Sequence, residues 1–158
     1  MATKELTASR TLFPAQIEKM NRMYDLEVHS IPRLNLSMDL FLARLERFNS
    51  ILTEECKELD DILVRCEQPM LDNLTDLADL LGDLVVYCYS EAAKFGIPLD
   101  EVLGIIMESN FSKLPEDGKP LKDERGKFLK GPNYWKPEPR IKALLQRHFD
   151  SVKVLEKD

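Results

Sequence analysis

Carboxylates occupy positions on a predicted helix where apolar residues are expected. In "ILTEECKELDDIL", residues 51–63, Leu52 and Ile62 belong to a helically spaced apolar stripe, and Glu55 falls on the same stripe. Glu58 follows three residues later and shares the face of Glu55. An ionised carboxylate that is buried without a partner is strongly unfavourable. This face therefore needs positive charge beside it.

The next predicted helix repeats the arrangement. Asp76, Asp79 and Asp83 fall on one face of a segment that is apolar almost all round, and no Lys or Arg lies between Arg65 and Lys94. An all-oxygen cluster without histidine or cysteine suits a hard cation, Mg²⁺ or Mn²⁺. The alternative is that both acidic faces are simply solvated.

The elements that must position these acids are predicted to be helical throughout. The apolar periodicity predicts an all-α helix bundle of four to five helices, with an ordered basic loop and a small β-hairpin. Helices are predicted over residues 11–28, from Ser37 to about Glu67, over 73–96, over 98–114 and over 139–149.

Capping and breaking residues set the predicted ends of these helices. Ser37 and Asp72 are predicted to cap the second and third helices, and Pro69 is predicted to end the second. Gly96 is predicted to end the third helix, and Pro98 to fall in the first turn of the fourth.

The basic charge is concentrated in one stretch. Residues 113–142 contain nine Lys or Arg and five Asp or Glu, a net of +4, which leaves −10 for the rest because the total is −6. The helical pattern is lost from Pro115 to Pro139, and "DERG" is a candidate hairpin turn. An acidic body with a basic loop suits a metal-bound anion, although a solvated surface gives the same division.

Length and composition favour a single domain over residues 1–158. The negative net charge argues against a general nucleic-acid binder. No apolar run is long enough for a signal or a membrane helix. Three cysteines without metal-type spacing predict reduced, packed thiols and a cytoplasmic location: Cys56, Cys66 and Cys88.

Two motifs resemble those of a known superfamily. "EECKE", residues 54–58, followed by "DLAD", residues 76–79, resembles the E-E-x-x-E…E-x-x-D signature of the all-α nucleoside triphosphate pyrophosphohydrolases. "ESNFSKLPEDGKPLKDERGKFLKGPNYWKP" is similar to the N-x-S-K-L…DGKP…DGKVLKGPNY segment of its MazG-like, phosphoribosyl-ATP pyrophosphohydrolase-like branch. "MNRMYDLEV" also looks like the first helix of that branch, so the resemblance covers roughly residues 17–137.

The resemblance implies Mg²⁺-dependent hydrolysis of a (deoxy)nucleoside triphosphate between its α and β phosphates, which yields a monophosphate and pyrophosphate. It implies metal ligation by Glu55, Glu58, Asp79 and Asp76, with Mn²⁺ as a substitute. The attacking water would be activated by the metal or held by Glu54. A house-cleaning role on non-standard or surplus nucleotides follows from the same resemblance.

One position departs from the family signature. Its E-x-x-D begins with glutamate, and this chain has the shorter Asp76. Either the helices lie closer together, or a water intervenes, or Asp76 does not bind the metal directly. Asp83, one turn beyond Asp79, is the reserve ligand.

The basic loop and the preceding helix supply the predicted substrate contacts. By resemblance, Asn110 and Lys113 would bind phosphate or sugar, and Lys130 would contact phosphate. Lys119 and Lys127 are further candidates, with solvated loop lysines as the alternative. In "GPNYW", Tyr134 or Trp135 could stack on a base, or the two rings could anchor the loop.

Other functions fit the same residues. One is a phosphoribosyl-ATP pyrophosphohydrolase of histidine biosynthesis, and another is a non-enzymatic helical interaction module whose acidic grooves bind basic partners. A ferritin-like di-iron bundle requires Glu-x-x-His pairs, which His29 and His148 do not form. A homodimer or homotetramer is expected, with no nucleic-acid or membrane partner.

Overall fold

The protein is built from helices, as seen in a computed structural model that describes residues 2–65 and 69–155, with side chains described over 13–65 and 69–151. The helices, which account for 68% of the residues, are α1 (Ala2–Met23), α2 (Met38–Arg65), α3 (Met70–Phe95), α4 (Leu99–Phe111) and α5 (Glu138–Leu155). The described residues form no strand. The all-α prediction is confirmed. Within the described chain, none of the helices has the length and apolarity needed to cross a membrane.

The chain divides into two compact units, Met1–Gly96 and Ile97–Asp158, each described here by itself. In the first unit, α3 packs against both α1 and α2. The α1–α3 contact includes a buried polar pair. The amide of Asn21 donates to the carbonyl of Ser90 over 3.1 Å and accepts from its hydroxyl over 2.7 Å. These two hydrogen bonds link α1 to α3, and they satisfy the polar groups that form them.

The helix starts differ in part from the sequence prediction. The Ser37 hydroxyl accepts a hydrogen bond from the backbone of Leu40 over 3.4 Å, so the predicted cap of α2 is confirmed. Asp72 as the cap of α3 is wrong, because Pro69 occupies the position before the helix and Asp72 lies in its first turn. Proline suits that position, since its fixed φ and missing N–H cost nothing there. Pro98 likewise precedes α4 instead of lying inside it.

The other predicted ends are partly described. The predicted end of α2 near Glu67 falls outside the described residues, and α2 is seen as far as Arg65. Gly96 ends α3 as predicted, with φ at 67°. A Cβ there would come within 1.8 Å of the carbonyl oxygen of Ile31, so only glycine allows this close approach.

In the second unit, α4 contacts α5, and the loop between them is tied to α4. The Ser109 hydroxyl donates to the carbonyl of Trp135 over 2.8 Å, and the backbone N–H of Trp135 donates to the Ser112 hydroxyl over 3.3 Å. The guanidinium of Arg140 lies 3.6 Å from the centroid of the Trp135 ring. Trp135 therefore helps to anchor the loop.

The predicted hairpin is reduced to a single antiparallel bridge between Lys122 and Phe128. Between them, a carboxylate oxygen of Asp123 accepts the backbone N–H groups of Arg125 and Lys127 over 2.9 and 2.8 Å. The turn around "DERG" is thus ordered by its own aspartate, but the pairing is too short to count as a strand.

The cysteine prediction is wrong in one respect. Cys56 and Cys88 are free thiols, yet both are exposed instead of packed. Cys66 lies outside the described residues.

Candidate metal centre on α2 and α3

Glu55 lies on the buried face of α2, as its place on the apolar stripe predicts. Together with Ile62 it is one of the buried residues of that helix, and only 9% of Glu55 is exposed. The two residues are two helical turns apart and so share a face. A carboxylate therefore takes a position that periodicity assigns to an apolar side chain.

The Glu55 carboxylate is incompletely satisfied. Its Oε2 atom is buried and has no hydrogen-bond partner. Buried polar atoms in folded proteins nearly always have one, so an exception calls for an explanation such as an ion. Among the described residues, the charged groups that shift the pKa of this carboxylate are all acidic: Glu58, Asp83 and Glu54.

Burial raises the pKa of Glu55, and the nearby negative charges of Glu58, Asp83 and Glu54 raise it further. The Tyr87 hydroxyl opposes this shift, because a hydrogen bond donated to the carboxylate stabilises its charged form. Burial also raises the pKa of Tyr87, with further contributions from Glu55, Asp83 and Glu54. The acids Glu54, Glu55, Glu58 and Asp83 and the phenol of Tyr87 therefore lie close enough for their charges to affect one another.

Such a cluster has the chemistry of a hard-cation site. Carboxylate oxygens are the usual protein ligands of Mg²⁺ and Mn²⁺. In the part of the chain that the structure describes, no three His, Cys, Asp or Glu side chains already stand in a metal-holding arrangement. A cation would therefore have to draw the long glutamate side chains inward.

The structure brings Asp83 to the cluster as the α3 carboxylate that acts on Glu55. Asp76 is half-buried and Asp79 is exposed, on the turns of α3 that precede Asp83. Metal ligation by Asp76 and Asp79 stays a prediction. Glu54 and Glu58 belong to the cluster because their negative charges raise the pKa of Glu55, as the "EECKE" spacing suggests.

Tyr87 is the member that the sequence reasoning missed. It lies four residues after Asp83 and thus on the same face of α3. That spacing was the available signal. A tyrosine in an apolar helix is ordinarily assigned to the core, because its ring is the larger part of its surface.

The predicted substrate residues lie in the second unit. The ammonium of Lys113 donates to the side-chain oxygen of Asn110 over 2.7 Å, so the two share a face as their spacing requires. The ammonium of Lys130 lies 4.7 Å from the centroid of the Tyr134 ring. Substrate contacts by all four residues stay predictions.

Comparison with known proteins adds no family assignment. No protein-family model matches this sequence, and no curated protein matches it. The resemblance to the all-α pyrophosphohydrolases therefore rests on the quoted motifs.

Proposed function

We propose that this protein is a Mg²⁺-dependent nucleotide pyrophosphohydrolase. It would cleave a (deoxy)nucleoside triphosphate between the α and β phosphates in a house-cleaning role, giving a monophosphate and pyrophosphate. The observation that carries the proposal is the buried Glu55 oxygen without a partner, among further acids on two adjacent helices. A purely structural carboxylate at this position would be expected to have a basic partner.

The residues fit a divalent cation by charge and by ligand type. Glu55, Glu58 and Asp83 would hold it, with Asp76 and Asp79 as further predicted ligands. Mg²⁺ bound there, or Mn²⁺ in its place, would neutralise charge on the phosphate oxygens and on the leaving pyrophosphate.

The chain's own residues would handle the proton and the orientation. Glu54 would accept a proton from the attacking water as the new bond to phosphorus forms and the bridging phosphate bond breaks. Tyr87, whose pKa is raised, stays protonated at neutral pH and can hold the Glu55 carboxylate by donating its hydroxyl hydrogen. Asn110 and Lys113 would bind phosphate or sugar, with Lys130 and Tyr134 as the loop's contributions.

We also propose that the protein works as a homodimer or homotetramer. Large apolar side chains on α2 and α3 are widely exposed, and soluble monomers rarely leave extensive apolar surface open. Examples are Leu63 at 63%, Val64 at 82%, Leu71 at 75% and Leu74 at 54%. Light scattering after size exclusion should give a mass at least twice the chain's 18.2 kDa. The free thiols fit a reduced, cytoplasmic setting, which belongs to the same proposal.

Pyrophosphate release from a panel of nucleotides tests the proposed activity. The panel should hold canonical and modified triphosphates together with phosphoribosyl-ATP, each assayed with Mg²⁺ and with EDTA. We expect Mg²⁺-dependent release with a monophosphate as co-product. Preference for phosphoribosyl-ATP would move the function to histidine biosynthesis. No release from any nucleotide by the folded oligomer would favour a non-enzymatic interaction module.

A further inference from the structure

A cavity of about 410 Å³ lies in the second unit, between the end of α4 and the basic loop. Phe111, Leu121 and Phe128 are among the apolar residues that line it. Small-molecule sites in proteins occupy about 300–1,000 Å³ and are mostly apolar with a few polar groups. By size and lining, this cavity belongs to that class.

Two phenyl rings that line the cavity are largely exposed. Phe111 is 63% exposed and Phe128 is 58% exposed, so folding leaves most of their surface in contact with water. The Lys122 ammonium lies 4.9 Å from the centroid of the Phe128 ring and adds positive charge beside it. Exposed rings of this kind provide stacking platforms for flat ring systems such as nucleotide bases.

The polar side of the cavity is amide and cationic. Asn110 and Lys113 both line the cavity, and the Lys113 ammonium donates a hydrogen bond to the Asn110 side chain. The surrounding stretch, residues 113–142, carries a net charge of +4. The complementary ligand is therefore a flat, largely apolar ring that bears negative charge on one side.

We propose that this cavity binds the heterocyclic base of a nucleotide. The rings of Phe111 and Phe128 contact the base, and Lys113 faces the phosphate. The choice of a nucleotide as the ligand rests on the proposed function, whereas the aromatic, cationic character of the cavity does not. Because neither ring needs a metal, base binding here is independent of Mg²⁺.

Ligand-observed NMR on the full chain in EDTA tests the base site. The probes are deoxyadenosine and deoxycytidine monophosphates, with ribose 5-phosphate as the probe that lacks a base. We expect base protons to receive more saturation than sugar protons. Ribose 5-phosphate should bind at least about 10-fold more weakly, which corresponds to about 1.4 kcal/mol.

Two substitutions at one position sharpen the test. Phe128→Leu keeps an apolar side chain without a ring and should weaken monophosphate binding about 5- to 10-fold. Phe128→Tyr keeps the ring and should bind as the wild type does. Equal binding of ribose 5-phosphate, no binding of either monophosphate, or an unchanged affinity in Phe128→Leu would each overturn the base site.

The result also separates this proposal from the proposed activity. Mg²⁺-dependent turnover by a protein whose monophosphate affinity is unchanged in Phe128→Leu would remove the base site and leave the hydrolase. Ring-dependent binding in EDTA by a protein that hydrolyses no nucleotide would keep the base site and remove the hydrolase.

Discussion

Two glutamates of the first unit stand in opposite electrostatic surroundings. Glu27 is half-exposed and is contacted by three basic groups: Arg44, Arg33 over 3.4 Å and His29 over 2.7 Å. Hydrogen bonds from Arg44 and His29 lower the pKa of Glu27 to about 2. Glu55 is buried, its charged neighbours are acids, and its pKa is raised.

The difference separates a carboxylate that is neutralised by basic side chains from one that is surrounded by acids. Arg44 also donates to the carbonyl of Lys94 over 2.9 Å, so Glu27 is tied through it to the end of α3. That cluster is complete within the chain. The charged groups that act on Glu55 are acids, so a bound metal ion would supply there the positive charge that basic side chains supply to Glu27.

The largest expected effect is the loss of turnover when a carboxylate of the Glu55 cluster is replaced. Glu55→Gln and Asp83→Asn should each lower kcat at least about 100-fold, the scale of losing one charge-stabilising group in an active site. The reason is that each change removes a carboxylate from the proposed metal site. The rate of pyrophosphate release at saturating Mg²⁺ and nucleotide measures kcat.

Glu46→Gln supplies the matched control on the same helix. Glu46 is exposed, so its variant should keep wild-type turnover. Circular dichroism should show the same helix content in all three variants. Unreduced turnover in Glu55→Gln would remove this residue from the mechanism, and loss of its fold would make Glu55 structural.

The second effect is stabilisation by the metal. At free Mg²⁺ about 100-fold above Kd, binding to the folded state adds about 2.7 kcal/mol, or roughly 5–10 °C in Tm for a chain of this size. The shift should vanish in Glu55→Gln and persist in Glu27→Gln, because the Glu27 cluster is already neutralised. A Tm shift of equal size in both variants would place the metal elsewhere.

The third effect is a pair of opposite pH dependences in the metal-free protein. The raised pKa of Glu55 means that its protonated form is favoured by folding. Its contribution to the free energy of unfolding is full below its ordinary value of 4.5 and is lost as pH rises through the raised value. Glu27 contributes above 4.5 and loses its contribution as pH falls towards about 2.

Denaturant unfolding at a series of pH values measures these slopes, each as wild type minus the Gln variant. Glu55→Gln should remove the part that falls with rising pH, and Glu27→Gln the part that falls with acid. Slopes of the same sign at both positions would show that the two surroundings do not differ as described.

The smallest effect is the stability of the Glu27 cluster. Glu27→Gln should cost about 1 kcal/mol at neutral pH, since half-exposed ion pairs are strongly screened by solvent. Glu18→Gln breaks an exposed pair with Arg22, 3.7 Å apart, and should cost less than about 0.5 kcal/mol. Equal costs in urea unfolding would mean that the Glu27 cluster does nothing beyond an ordinary surface pair.

Sequence periodicity was sufficient for the all-α fold and for the place of Glu55 on the buried face of α2, and capping chemistry for the start of α2 and the end of α3. Ser37 and Gly96 act locally, so their roles follow from residue type. Which acid of α3 lies close enough to raise the pKa of Glu55 depends on how α2 and α3 are rotated about their axes. The spacing of residues along one helix does not determine that rotation. For the same reason the sequence predicts Asp79 as a metal ligand and Asp83 only as the reserve ligand, and Tyr87 was missed.

Direct cation binding tests the central claim most closely. Mn²⁺ can be titrated into the 158-residue chain while electron paramagnetic resonance follows the free ion, with wild type, Glu55→Gln, Asp83→Asn and Glu46→Gln side by side. We expect saturable binding to the wild type and Glu46→Gln, displaced by Mg²⁺, with at least about 10-fold weaker binding in the other two. Equal binding by all four proteins, or none by the wild type, would contradict the assignment of Glu55 and its neighbours as a metal site.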